Sequence, residues 1–309
     1  MIAFFAKIFG FILNFIYEIV NNYGIAIILF SLLVKLLMIP ISIKQQKTMK
    51  KSVKIQEKMK EIQFKYKNNP EKLNQETLEL YKTENMSPFC GCLSAIVQII
   101  LLFAVFYLVR SPLTYMKKVD IGIIEKYTNI VHEYQLSENS AYPEIDLIRE
   151  IDNIKNLKIT ENMENSEKER TDISEIKEEE LEQLNINMEF FGLNLAQVPT
   201  KSSDWKAYII PVLYVLVAVL SMKITNPTAS NSKKEPVENN EEKALAKTED
   251  EFNPMDQMNK NMNMMFPVMY LAVALIAPLG LALYWLMNSL LMIVEKLALN
   301  KLLKDEEEN

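Results

Sequence analysis

Five stretches of the chain are apolar almost without a break, and strongly charged sequence separates each from the next. They lie at residues 23–43, about 89–109, 207–222, 262–277 and 279–299. A helix rises about 1.5 Å per residue, so about 20 residues cross a hydrocarbon core, where only helices and closed barrels satisfy their own backbone. The pattern predicts an all-α polytopic membrane protein with a five-span core. Residues 1–20 are apolar nearly all round, but Lys7, Asn14 and Glu18 recur on one side, which predicts an amphipathic helix in the interface. A cleaved signal peptide and a sixth span are the rival readings, and no small-x-small cleavage site precedes Asn21. The chain then divides into the N-terminal helix at 1–22, span 1 at 23–43, a helical hairpin at 44–88, span 2 at 89–110, an acidic loop at 111–204, span 3 at 205–224, a linker at 225–260, span 4 at 261–277, span 5 at 278–300 and a tail at 301–309.

One cation interrupts the first span. Lys35 follows Tyr23 by 12 residues and precedes Ile43 by 8, roughly 18 and 12 Å along a helix. An ionisable group at that depth marks a functional site by default, and the rival is a lysine that snorkels to the surface. The neighbours Leu36, Leu37, Met38 and Ile39 are all apolar, which weighs against snorkelling. A charged Lys35 needs water or a partner; water is the expected support, because the only carboxylate in the other spans is Glu295, near a helix end.

Charge sets the topology. Between residues 44 and 72 stand ten lysines, among them Lys44, Lys47, Lys50, Lys51 and Lys54, against three glutamates, so the positive-inside rule places this segment in the cytoplasm. Met49, Val53, Met59, Ile62 and Tyr66 keep helical spacing, Asn68-Asn69-Pro70 breaks it, and Leu73, Leu80 and Tyr81 resume it, which predicts a helical hairpin. Its lysines either only set topology or also touch lipid head groups or a nascent chain. The 111–204 loop carries 20 acidic residues against 10 basic ones and falls outside by alternation. Ile145, Ile148, Ile151, Ile154 and Leu157 predict a small helical excursion within it. Trp205 and Tyr208 suit an interface belt, and Lys296, Lys301 and Lys304 return the C-terminus to the cytoplasm.

The remaining chemistry is sparse. Six glycines and no phosphate-binding loop, one histidine (His132) and a lone Cys90-x-Cys92 leave no basis for a nucleotide, metal or nucleophile site, so no cofactor and no enzymatic chemistry is expected. Gln98 in span 2 either faces a cavity or bonds a neighbouring helix. Methionines 255, 258, 262, 264, 265 and 269 crowd the entrance to span 4. That span has some 16 residues before Pro278, roughly 24 Å against a core of about 30 Å, which favours local thinning of the bilayer.

Five collinear segments carry a resemblance: NYGIAIILFSLLVKLLMIPISIKQQKTMK at 22–50, FKYKNNPEKLNQETLELYK at 64–82, SPFCGCLSAIVQ at 87–98, FFGLNLAQVP at 190–199 and MFPVMYLAVALIAPLGLALYWLMNSLLMIVEKLALNKLL at 265–303. Together they resemble the YidC/Oxa family of membrane protein insertases. The resemblance implies five spans around a hydrophilic groove open to the cytoplasm and to lipid, with a cation at the position of Lys35. It departs from the family pattern in carrying lysine for the usual arginine, Ile100 where proline is frequent, and the long stretch at about 120–185. It further implies a substrate groove lined by Lys35, Gln98, Trp285 and Asn288, and a hairpin with Asn69 and Pro70 at its tip that meets the substrate first. Nascent membrane proteins, lipids, the Sec translocon and the ribosome are the implied partners, without nucleic-acid readout, in a bacterial plasma (inner) membrane. The competing class is a small-solute transporter or channel; transporters often carry repeated halves with paired broken helices, and no such repeat is visible. A membrane scaffold would need the hairpin but not Lys35.

Overall fold

The computed structural model describes residues 2–67, 69–84, 90–137, 141–163, 176–225, 265 and 267–308. The predicted 226–260 linker, most of the methionine cluster, Asn68 and the Ser87-Pro88 entrance to span 2 lie outside the described residues.

Helix α1 (Ile2–Val20) buries Ala6, Gly10, Leu13 and Tyr17, one stripe at spacings of 4, 3 and 4, and exposes Phe4, Phe11, Phe15 and Ile19 on the other side. It is itself long and apolar enough to cross a membrane. The chain reverses within two residues. Asn21 takes a left-handed φ of 47°, which asparagine tolerates, and the Asn22 side chain caps α2 (Tyr23–Lys65) by accepting from Ile25 N at 3.0 Å.

Helix α2 is 43 residues long, about 65 Å, so roughly half of it projects beyond a 30 Å core. The first span and the first arm of the hairpin are thus one continuous helix, with Pro40 inside it. Helix α3 (Pro70–Thr83) folds back on that projection. Asn69 caps it through Lys72 N at 3.1 Å and Pro70 stands where a helix needs no N–H. Tyr66 to Glu76 at 3.1 Å and Lys58 to Glu84 at 2.5 Å join the two arms, but no residue of α3 is buried.

Helix α4 (Cys90–Arg110) returns to the α1–α2 elbow and ends in a π-helical turn, Leu113–Lys117. There the chain forms a cap. Helices α5 (Ile121–Glu133), α6 (Pro143–Met163) and α7 (Glu178–Leu184) bury Ile124, Tyr127, Ile130, Val131, the 145/148/151/154 isoleucine stripe, Leu181 and Leu184. The described parts of the 111–204 segment therefore form a folded layer continuous with the helical core, more than the excursion its sequence predicts. A two-stranded hairpin follows, β1 (Glu189–Phe190) and β2 (Leu193–Asn194), whose turn residues Phe191 and Gly192 both take positive φ, as a type I′ turn requires.

Helix α8 (Ile209–Thr225), a short apolar helix α9 (Pro267–Ile276) and α10 (Leu279–Glu308) complete the bundle. Among the described residues four helices are long and apolar enough to span: α1, the first part of α2, Trp205–Ile224 and Leu279–Leu302. The described apolar parts of the second and fourth predicted spans are the shorter Ile99–Arg110 and Pro267–Ile276. The architecture is all-α and polytopic, and it differs from a simple five-span count in that α1 joins the helices of spanning length.

Candidate functional site

The elbow end of the bundle is tied by the segment that carries the FFGLNLAQVP motif. Asn187 N donates to the Tyr17 hydroxyl at 2.9 Å, Asn187 Nδ2 to Asn21 O at 2.8 Å, and Tyr23 N donates to Asn187 O at 3.0 Å. Asn22 Nδ2 donates to Glu189 O at 2.6 Å. On the far side the first N–H groups of α10, which no helix can satisfy internally, donate to this segment: Leu279 N to Gln197 O and Gly280 N to Leu195 O, both at 2.9 Å. One loop thus fixes the start of α2 relative to the start of α10. Glu144 of the cap adds a second tie, accepting from Leu113 N, Thr114 N and the Thr114 hydroxyl at 2.8, 3.1 and 2.6 Å. Burial pushes its carboxyl above the ordinary range, and the hydrogen bonds from Thr114, Leu113 and Ser111 oppose that rise.

With those starts fixed, polar side chains of α2 and α10 meet inside the bundle. Lys35 Nζ lies 2.6 Å from Glu295 Oε2, with the two side chains 20% and 13% exposed. The expectation that water supports the Lys35 charge is replaced by a carboxylate partner. Eleven residues on, Gln46 Nε2 donates to Asn300 Oδ1 at 2.6 Å. Ser31, one turn before Lys35, is buried and donates to Ile27 O at 2.7 Å, and Ser289 is buried on α10. Within one to three turns before Glu295 on α10, Trp285 packs on Tyr214 with ring centroids 5.7 Å apart, Tyr214 meets Tyr270 at 6.0 Å, and the buried Ser221 lies 3.5 Å from Met292 Sδ.

Of the four groove residues expected from sequence, Lys35 is part-buried on α2, and Trp285 and Asn288 are part-buried one turn apart on α10. Gln98 lies on α4, and its side chain is outside the described residues. Lys44, Lys47 and Lys51 are exposed along α2, Asn69 and Pro70 open α3, and the side chains of Lys50 and Lys54 are outside the described residues. Sequence reasoning missed Gln46, Asn300, Ser31 and Ser221. Glu295 carried the one available signal, as the only carboxylate in the last apolar run. Among the described residues no group of three His, Cys, Asp or Glu side chains is placed to hold a metal.

A family model described as 60Kd inner membrane protein matches residues 15–307. The chain belongs to this family, that of YidC and Oxa. Proteins named "Membrane protein insertase YidC" are similar to parts of it. That of Chlorobaculum tepidum is 45% identical over 102 residues, covering 33% of this chain and 17% of the relative. That of Chlorobium limicola is 46% identical over 94 residues, 30% of this chain and 16% of the relative. That of Caldanaerobacter subterraneus subsp. tengcongensis is 40% identical over 106 residues, 34% and 52%. The aligned stretch thus spans about half the length of one curated relative and less of the others. Membership in this family, with helices of spanning length and composition, makes the chain a multi-span protein of the bacterial inner membrane.

Proposed function

We propose that this chain is a membrane protein insertase, moving short segments of membrane proteins from the cytoplasm into the bilayer through a hydrophilic groove that bears Lys35. The reading is carried by a cation about 18 Å along a spanning helix, in a chain whose family includes named insertases. The lysine-rich hairpin and the C-terminus lie in the cytoplasm, and the elbow and cap lie outside. No covalent step is involved.

The physics is that of solvent exchange. A polar segment crossing bare hydrocarbon leaves groups unsatisfied at several kcal/mol each, whereas a groove wet from one side shortens the dry path. Lys35 attracts acidic residues of the incoming segment, and Gln98 and Asn288 supply polar lining for the groove. Trp285 holds α10 against α8, keeping that wall in place. Lys44, Lys47 and Lys51 on the projecting half of α2, with the α3 arm, receive the nascent chain and lipid head groups first. The tie at 187–197 closes the outer end, so the spanning segment leaves sideways, driven by about 0.8 kcal/mol per CH₂ moved into lipid. The ribosome and the Sec translocon are the further partners of this reading.

Complementation tests this reading. In a bacterial host depleted of its own insertase, expression of this chain restores growth and the insertion of single-span proteins. Failure to restore either, with the chain present in the membrane at the level of the lost protein, overturns it.

A further inference from the structure

We propose that Glu295 is a displaceable counter-ion: it holds Lys35 in the resting protein and gives way to a carboxylate of the incoming segment, so that it sets the charge selectivity of insertion. The proposal rests on reading Lys35 as the charge that meets substrate. Its evidence is the form of the pair. Lys35 and Glu295 sit on separate long helices, in contact at 2.6 Å through one oxygen of the carboxylate. The other oxygen, Oε1, is buried and has no hydrogen-bond donor among the described residues. Ser31, one turn before Lys35, is committed to its own helix. A structural buried ion pair ordinarily satisfies its remaining lone pairs, because the desolvation of two charges is recovered only then. This one is held at a single point by a lysine, which lacks the two-pronged fork of an arginine.

Such a contact is suited to exchange. Both side chains keep some exposure, so a second carboxylate can approach Nζ from the open side. Replacing one carboxylate by another leaves the cation paired throughout, which avoids the unpaired buried charge that removal of a partner creates. Glu295 therefore competes with acidic segments for Lys35. When the segment moves on into lipid, Glu295 returns.

The test uses the full chain in proteoliposomes and two single-span substrates that differ only in a translocated tail carrying two aspartates or two asparagines. The quantity read is the ratio of the aspartate-tail rate to the asparagine-tail rate. Glu295→Gln removes the competitor at constant volume. Lys35→Arg/Glu295→Gln does so with a cation that stays charged when unpaired. The expected outcome is a rise in the ratio of about fivefold over the parent in at least the arginine variant, which at 1.36 kcal/mol per tenfold is about 1 kcal/mol. A merely structural glutamate would slow both substrates alike, and an unchanged ratio in both variants overturns the proposal. Lys35→Ala/Glu295→Gln separates the two levels of the argument. If it handles the aspartate tail as well as Glu295→Gln does, the reading of Lys35 itself has failed; if it is impaired while the ratio in the other variants stays flat, only the counter-ion role has.

Discussion

Replacing Gly10 by alanine separates helix α1 from the cap. A methyl group at Gly10 would stand 1.9 Å from the carbonyl oxygen of Tyr115 and 2.6 Å from its carbon, both backbone atoms that no rotamer change can clear. Ordinary contact needs about 3.5 Å, so α1 and the π-turn must part by more than about 1 Å. That displacement strains the buried stripe of Ala6, Leu13 and Tyr17. It also strains the Lys117 contacts, 2.8 Å to Glu18 and 4.7 Å to the Tyr17 ring. Overpacking of this kind costs about 1–3 kcal/mol. The exposed Glu18–Lys117 pair adds about 0–1 kcal/mol, and the better helix propensity of alanine returns about 1 kcal/mol. The net expectation is a loss of about 1.5 kcal/mol, roughly tenfold in the unfolding equilibrium. Gly280→Ala is the control, since its methyl meets Tyr23 at 3.4 Å, an ordinary contact. Denaturant unfolding in detergent, followed by the fluorescence of Trp205 and Trp285, measures both. A Gly10→Ala protein as stable as Gly280→Ala would refute the close approach of α1 to the cap.

Glu144→Ala removes three accepted hydrogen bonds and leaves two backbone donors unpaired, so it lowers stability by about 3 kcal/mol in the same assay. Because burial raises the Glu144 pKa, the native state binds the proton more tightly than the unfolded chain. Its contribution is therefore fully favourable below the ordinary carboxylate value and is lost as pH rises through the raised one; Glu144→Gln flattens that slope. Glu180 has the opposite sign, since the Lys126 hydrogen bond holds its carboxyl low: its contribution is present above the ordinary value and is lost as pH falls, and Glu180→Gln abolishes that loss. Asn69→Cys at the start of α3 reacts with an impermeant maleimide from the cytoplasmic side only; labelling in intact spheroplasts from outside would invert the topology. Deleting residues 120–185 removes the α5–α7 core and the Glu144 tie and so lowers stability, seen as faster proteolysis of the remaining membrane domain; unchanged resistance would show that the cap is an independent unit.

Much of this was legible along the chain, and the reasons are local. Blocks of apolar residues announce helices in lipid, Asn69-Pro70 is a helix start by its own chemistry, and Lys35 stands out because it is the only charged residue in an apolar run. The partner of Lys35 was not legible, because which residues of α2 and α10 face each other is set by the 187–197 tie, through hydrogen bonds between main chain and asparagines far apart in sequence. Glu295 sits where a C-terminal helix end was expected, yet α10 runs on to Glu308, which places it inside a long helix instead. The uninterrupted run of α2 through Pro40 also escapes a local reading, since a proline marks a break more often than it is bridged. The cap shows the opposite case. Its isoleucine spacing pointed to a helix, but its acidity concealed that the isoleucines pack into the core shared with the spans.

The central claim is transfer of protein segments into the bilayer, and sealed proteoliposomes containing only this chain test it most directly. A single-span substrate is presented from outside, and protease protection reports how much has crossed. Protection is predicted to rise in proportion to the reconstituted chain, while the vesicles remain tight to a small trapped dye. Protection no greater than in empty vesicles would contradict insertase activity by this chain alone, and dye release without protection would place it among solute channels.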